Sequence, residues 1–151
     1  MQIIINSLEE MKDFGIKLGK ALKPKDIVCL DGDLGAGKTT LTQSIGLGLG
    51  VKEYITSPTF ALLNEYKGDL DVYHFDVYRL ENIDEIYELG FEDYFYSDGV
   101  SIIEWADMIK EILPDEIIEI YIQKDETLKK RIITINAYKP RYEELLKEMN
   151  L

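Results

Sequence analysis

The sequence predicts an α/β protein of three layers, with a central sheet that mixes parallel and antiparallel strands. Three observations lead there. Residues 32–39 read GDLGAGKT, a full match to G-x-x-x-x-G-K-[ST], set between an apolar run at 27–30 and a helix-forming segment from residue 40. Two pairs of strand-like runs, 60–66 with 70–78 and 116–123 with 130–138, read as hairpins, and a hairpin forces antiparallel neighbours. The stretch 8–22 carries apolar residues at helical spacing, enough to cover one face of a sheet. A purely parallel sheet is therefore not expected.

The elements follow in order. Residues 2–6 form a short apolar strand. Ser7 caps a helix, and Glu10, three residues on, completes a capping box. Leu8, Met11, Leu18 and Leu22 form its sheet-covering face, and Pro24 ends it. Ile27-Val28-Cys29-Leu30 is apolar without alternation, as a strand buried on both faces requires. The helix after the glycine-rich loop stops near Gly48 or Gly50. Pro58 keeps the polar segment 56–60 extended. The first hairpin turns at Lys67-Gly68-Asp69. A short helix spans 82–89 with Gly90 just past it, residues 100–104 form a buried strand ending in an acid, and 141–149 form a last helix after the second hairpin. No repeat, linker or low-complexity stretch interrupts residues 1–151, so one domain is expected.

Twenty-nine acidic against 17 basic residues give a formal charge of −12, and the pI is near 4.5. A phosphate backbone is bound by Lys and Arg, so a direct nucleic-acid surface is not expected. The lone Cys29 reads as a small core residue and excludes a disulfide within the chain. MQIIINSLEE has neither the basic flank nor the long apolar stretch of a secretion signal. No segment approaches the ~20 apolar residues of a membrane span. A cytoplasmic protein without membrane contact is the expectation.

The chemistry lies in Gly32, Asp33, Leu34, Gly35, Ala36, Gly37, Lys38, Thr39 and Thr40. The glycines let the backbone curl so that successive N–H groups face phosphate oxygens, and the following helix adds its positive end. Lys38 would reach the β- and γ-phosphates, and the Thr39 hydroxyl would hold Mg²⁺. The fold is thus P-loop NTPase-like, and the expected ligand is a nucleoside triphosphate with magnesium.

Mg²⁺ at such a loop takes a further oxygen ligand, usually a carboxylate. Glu104 ends an apolar strand at the sheet edge where ligands sit. Two readings stand for it, a Mg²⁺ ligand or a surface acid at a strand end. Asp76, inside the aromatic-rich run VYHFDVY at 72–78, is either a site acid or a residue on a solvated edge. His74, the one histidine, shares its face and reads as structural. Thr59 lies in a polar loop of the kind that closes over a γ-phosphate, though alone it reads as an ordinary turn. Trp105, the one tryptophan, either packs or lines the pocket.

Taken together, GDLGAGKTT at 32–40, SPTF at 57–60, HFDVYRL at 74–80, LGFEDYF at 89–95 and IEWAD at 103–107 resemble the bacterial TsaE (YjeE) family, the small ATPases of tRNA threonylcarbamoyladenosine biosynthesis. The resemblance runs from about residue 2 to about 138, and the last helix carries none of it. It implies an ATPase, weak alone and modulated by its partners TsaD and TsaB, with tRNA engaged only through that complex. ATP or ADP with Mg²⁺ would be the cofactors. It implies Thr39 and Glu104 as metal ligands, Lys38, Asp76 and Glu104 as the catalytic set, and Thr59 and Trp105 beside the nucleotide. Adenine would lie near residues 7–9, where the match is weakest. A monomer is expected for the isolated chain.

Three other readings compete. A small-molecule kinase of the same fold would close an arginine-rich lid, yet the three arginines, 79, 131 and 141, do not cluster in sequence. A guanine-nucleotide switch lacks its N-K-x-D. A nucleotide-dependent assembly module, in which binding rather than hydrolysis carries the function, is compatible with every motif.

Overall fold

The computed structural model describes residues 1–58, 62–127 and 129–151. Among them a seven-stranded sheet runs in the order β1-β7-β6-β2-β5-β4-β3. The strands are β1 (Gln2–Ile5), β2 (Ile27–Gly32), β3 (Leu63–Tyr66), β4 (Val72–Asp76), β5 (Val100–Glu104), β6 (Ile118–Lys124) and β7 (Arg131–Ala137). The four central strands β6, β2, β5 and β4 are mutually parallel, β7 and β3 run against them, and β1 pairs antiparallel with β7. Both expected hairpins form, β3–β4 and β6–β7, and they account for the mixed directions.

Helices α1 (Leu8–Ala21), α2 (Lys38–Gly48) and α5 (Pro140–Glu148) supply apolar side chains to one face of the sheet. Helices α3 (Asp84–Leu89) and α4 (Phe91–Phe95), with a 3-10 helix over Ala106–Ile112, cover the other. Alternation in the strands divides them. Val28, Leu30 and Ile102 join the first core, Cys29, Phe75 and Ile103 the second. The central run is therefore apolar throughout because both of its faces are dry.

Ser7 caps α1 by accepting from the Glu10 N–H at 3.1 Å, but the Glu10 carboxylate closes on the N–H of Asn6, at 2.7 Å, one residue before the usual partner. Leu8 is a correction. It is 78% exposed, and the buried face of α1 is Met11, Phe14, Gly15, Leu18 and Gly19. The glycines are there because α1 and α2 touch backbone to backbone. A Cβ on Gly19 would stand 2.3 Å from the Ile45 carbonyl oxygen.

Gly90, expected to end a helix, also begins one. In the left-handed region (φ 76°) it is the C-cap of α3 and the N-cap of α4. Helix α5 is tied down by Tyr142, whose buried hydroxyl accepts the Ile27 N–H at 2.9 Å, and by Arg141, which donates to Asp26 at 2.7 Å. No helix among the described residues is long and apolar enough to cross a membrane.

Candidate nucleotide site

The register of the parallel strands assembles the site. Leu30 stands opposite Glu104, and Glu104 opposite Asp76, so the C-terminal ends of β2, β5 and β4 meet at one sheet edge. That is where ligands sit in open α/β sheets. A cleft of about 640 Å³ opens there.

Its floor is the loop between β2 and α2. Gly32 pairs with Ile122 at φ 148°, and a Cβ there would stand 2.3 Å from the Ile122 carbonyl oxygen, so no other residue fits without moving the strand. Gly37, at φ 117°, is the N-cap of α2 and turns the chain into the helix, leaving the free N–H groups of its first turn at the cleft. The Arg131 Nε donates to the Ala36 carbonyl at 2.9 Å and pins the back of the loop to β7. Of the three arginines, then, Arg131 holds the loop, Arg79 lines the cleft, and Arg141 lies with Asp26. Distance in sequence hid the first.

Lys38 is 5% exposed. Its ammonium donates to the carbonyls of Gly32 and Asp33, both at 2.8 Å, and sits 3.9 Å from the centre of the Trp105 ring. Burial pushes its pKa below the usual lysine value, against the pull of Glu104, Asp31, Asp76 and Asp33. Trp105 also stacks on Tyr78, with ring centres 4.6 Å apart. It therefore lines the cleft, the second of its two readings.

The Thr39 hydroxyl lies 3.0 Å from Glu104 Oε1, 3.4 Å from Oε2 and 3.0 Å from the Ser57 hydroxyl. Glu104 is 2% exposed and is no surface acid. A hydroxyl and a buried carboxylate side by side are hard oxygen donors, which suit Mg²⁺. No cluster of three or more His, Cys, Asp or Glu able to hold a metal occurs among the described residues.

Asp76 is half-buried at the end of β4. One of its carboxylate oxygens accepts the Tyr78 N–H at 3.1 Å. Burial raises its pKa, the Tyr78 N–H opposes that, and Glu104 adds to it. Leu34, Gly35, Gly37, Lys38, Thr39, Thr40, Asp76, Glu104 and Trp105 all line the cleft. Gly32, Asp33 and Ala36 lie behind it and shape the loop, residues 7–9 do not line it, and Thr59 lies outside the described residues. Sequence reasoning passed over Ser57, which meets Thr39, and took His74 as structural; His74 is buried, with its Nε2 2.5 Å from Glu104 Oε2. The signal for His74 was its position two residues before Asp76, on the same face.

Known proteins resemble this chain in sequence and in fold. A family model described as threonylcarbamoyl adenosine biosynthesis protein TsaE matches residues 5–133. The TsaE protein of Bacillus subtilis (strain 168) is 44% identical over 146 residues, 94% of this chain and 89% of the relative. That of Treponema pallidum (strain Nichols) is 37% identical over 123 residues, 82% of this chain and 91% of the relative. The crystal structure of Bacillus subtilis YdiB superposes with a TM-score of 0.82 at 38% identity, covering 99% of this chain and 93% of that one.

Proposed function

Because this chain belongs to the TsaE family of threonylcarbamoyladenosine biosynthesis proteins, we propose that it is the Mg²⁺-dependent ATPase of that tRNA modification, acting with TsaB and TsaD. The observation that carries the reading is the convergence at one cleft of the phosphate loop, Lys38 and the Thr39–Glu104 pair.

In this reading the N–H groups of residues 35–39 receive the phosphates, and Lys38 leaves the Gly32 and Asp33 carbonyls for the β- and γ-phosphate oxygens. Thr39 and Glu104 would hold Mg²⁺, and the ion would supply neutralising charge to the phosphoryl group. Asp76, beside Glu104 at the strand end, orients the attacking water, and its raised pKa suits a group that takes a proton late in the reaction. Trp105 and Tyr78 form an apolar wall that limits water.

Arg79 is the one arginine lining the cleft among the described residues. Turnover alone is therefore slow, and a cationic group supplied in trans by the partners raises it, by ~10³ or more in related chemistry. A charge of −12 suits a basic protein partner and disfavours tRNA directly.

Calorimetric titration with ATP and GTP, with and without Mg²⁺, tests the ligand. Tighter ATP binding that Mg²⁺ strengthens is expected, together with loss of the Mg²⁺ gain in Glu104→Ala. Equal or tighter GTP binding overturns the adenine assignment. Turnover measured alone and with TsaB–TsaD tests the activity. Turnover indifferent to the partners refutes the partner dependence, and binding without turnover in any mixture makes the chain an assembly module.

A further inference from the structure

We propose that His74 is a positioning residue for Glu104, fixing which side of that carboxylate is offered to the metal; the proposal rests on the Mg²⁺–nucleotide reading above. His74 lies in the middle of β4, paired in register with Asn64 of β3 and Ile102 of β5. It is fully buried, and its neighbours on that face include Val72 and Ile102. Its Nε2 lies 2.5 Å from Glu104 Oε2, between side chains 0% and 3% exposed. Its Nδ1 is buried and has no hydrogen-bond partner among the described residues.

That orphaned nitrogen separates the two roles a buried histidine can have. A ring kept for packing would do better as an apolar residue, because burying a polar atom without a partner works against folding. The polar interaction this imidazole makes with the described residues is the one to Glu104. A carboxylate only accepts, so Nε2 carries the proton, and a second proton on Nδ1 would be buried with no acceptor. The ring thus presents its Nε2–H to Glu104.

Glu104 is then held from two sides, by His74 on Oε2 and by the Thr39 hydroxyl chiefly on Oε1. A carboxylate gripped this way cannot rotate, and it lines the cleft. Partners that orient a metal-ligating side chain commonly contribute 10–100-fold to metal affinity.

The test compares wild type with His74→Gln, whose amide N–H reaches about as far as Nε2, and His74→Phe, which keeps the shape without a donor. Titration calorimetry with ADP in EDTA and in Mg²⁺ yields the gain in affinity due to the metal. A gain about 10–100-fold smaller in His74→Phe is expected, with affinity in EDTA unchanged and most of the gain kept by His74→Gln. A His74→Phe protein with the full gain overturns this proposal alone, as does an equal loss in both variants that extends to EDTA. A wild type that gains nothing from Mg²⁺ overturns the reading beneath it as well.

Should His74→Phe fail to fold, ¹⁵N-histidine spectra of the intact chain decide, since it has one histidine. Nitrogen shifts of a ring protonated only on Nε2, which move in Glu104→Gln, support the pairing. A ring protonated on Nδ1, or shifts indifferent to Glu104→Gln, refute it.

Discussion

Asp31 offers a quantitative test of the electrostatics beneath the phosphate loop. It is the penultimate residue of β2, on the face opposite Leu30 and half-buried, with its Oδ1 accepting the Asp107 N–H at 3.1 Å. Burial pushes its pKa up to about 6, and the charges of Asp107 and Glu119 add to that, against the Asp107 N–H and Lys38. The unfolded chain releases this proton near the ordinary value of about 3.9. The folded chain therefore holds a proton that the unfolded one has lost, so this group's contribution to stability falls as pH rises from about 4 to about 6, and the full cost persists above.

Two pH units correspond to about 3 kcal/mol, and partial exposure to water reduces that to about 1 kcal/mol. Asp31→Asn keeps an acceptor for the Asp107 N–H and removes the charge. It should be more stable than wild type by about 1 kcal/mol at pH 7.5 and no more stable below pH 4. In urea that moves the midpoint upward by ~0.5 M, for a slope near 2 kcal/mol per M. Urea unfolding of both proteins across pH 4–7.5 measures it. A difference independent of pH, or a variant less stable at pH 7.5, refutes the assignment of the cost to a buried charge.

Lys38→Ala should abolish hydrolysis and weaken ADP binding by at least tenfold in calorimetry, because in the proposed reading it removes the cation that meets the β-phosphate of ADP. The same substitution takes the ammonium from the face of the single tryptophan, so the emission of Trp105 should shift without nucleotide. Asp76→Asn should leave nucleotide affinity within about threefold and suppress turnover by ~10² or more; joint loss of binding and thermal stability would make Asp76 structural. Gly19→Ala should lower the unfolding free energy by about 2–3 kcal/mol in denaturant titration, since its Cβ would enter the backbone of α2.

Much of the site was legible because its logic is local. A phosphate loop is eight consecutive residues whose backbone forms the receptor, so spacing alone reveals it. The hairpins were legible for the same reason, each being two patterned runs and a turn. Glu104 and Asp76 were visible as acids where acids are costly, and the structure places them beside each other because β4 and β5 pair in parallel. The short α4 was missed because a glycine after a helix reads as a stop. Here the same left-handed residue also starts the next turn, which packs Phe91 and Phe95 into the second core.

The amino-acid sequence by itself determined the seven strands, most of the helices, the mixed direction of the sheet and the glycine-rich loop between β2 and α2. Periodicity and turn chemistry act over a few residues, and nothing distant is needed to read them. Tertiary structure alone decided the strand order, the clasp of Arg131 on the loop, the resting place of Lys38 on Trp105 and the grip of His74 on Glu104. Those contacts join residues 30 to 95 positions apart. They exist because sheet register, set by the burial of two apolar faces at once, carries side chains to the same edge that no local pattern connects.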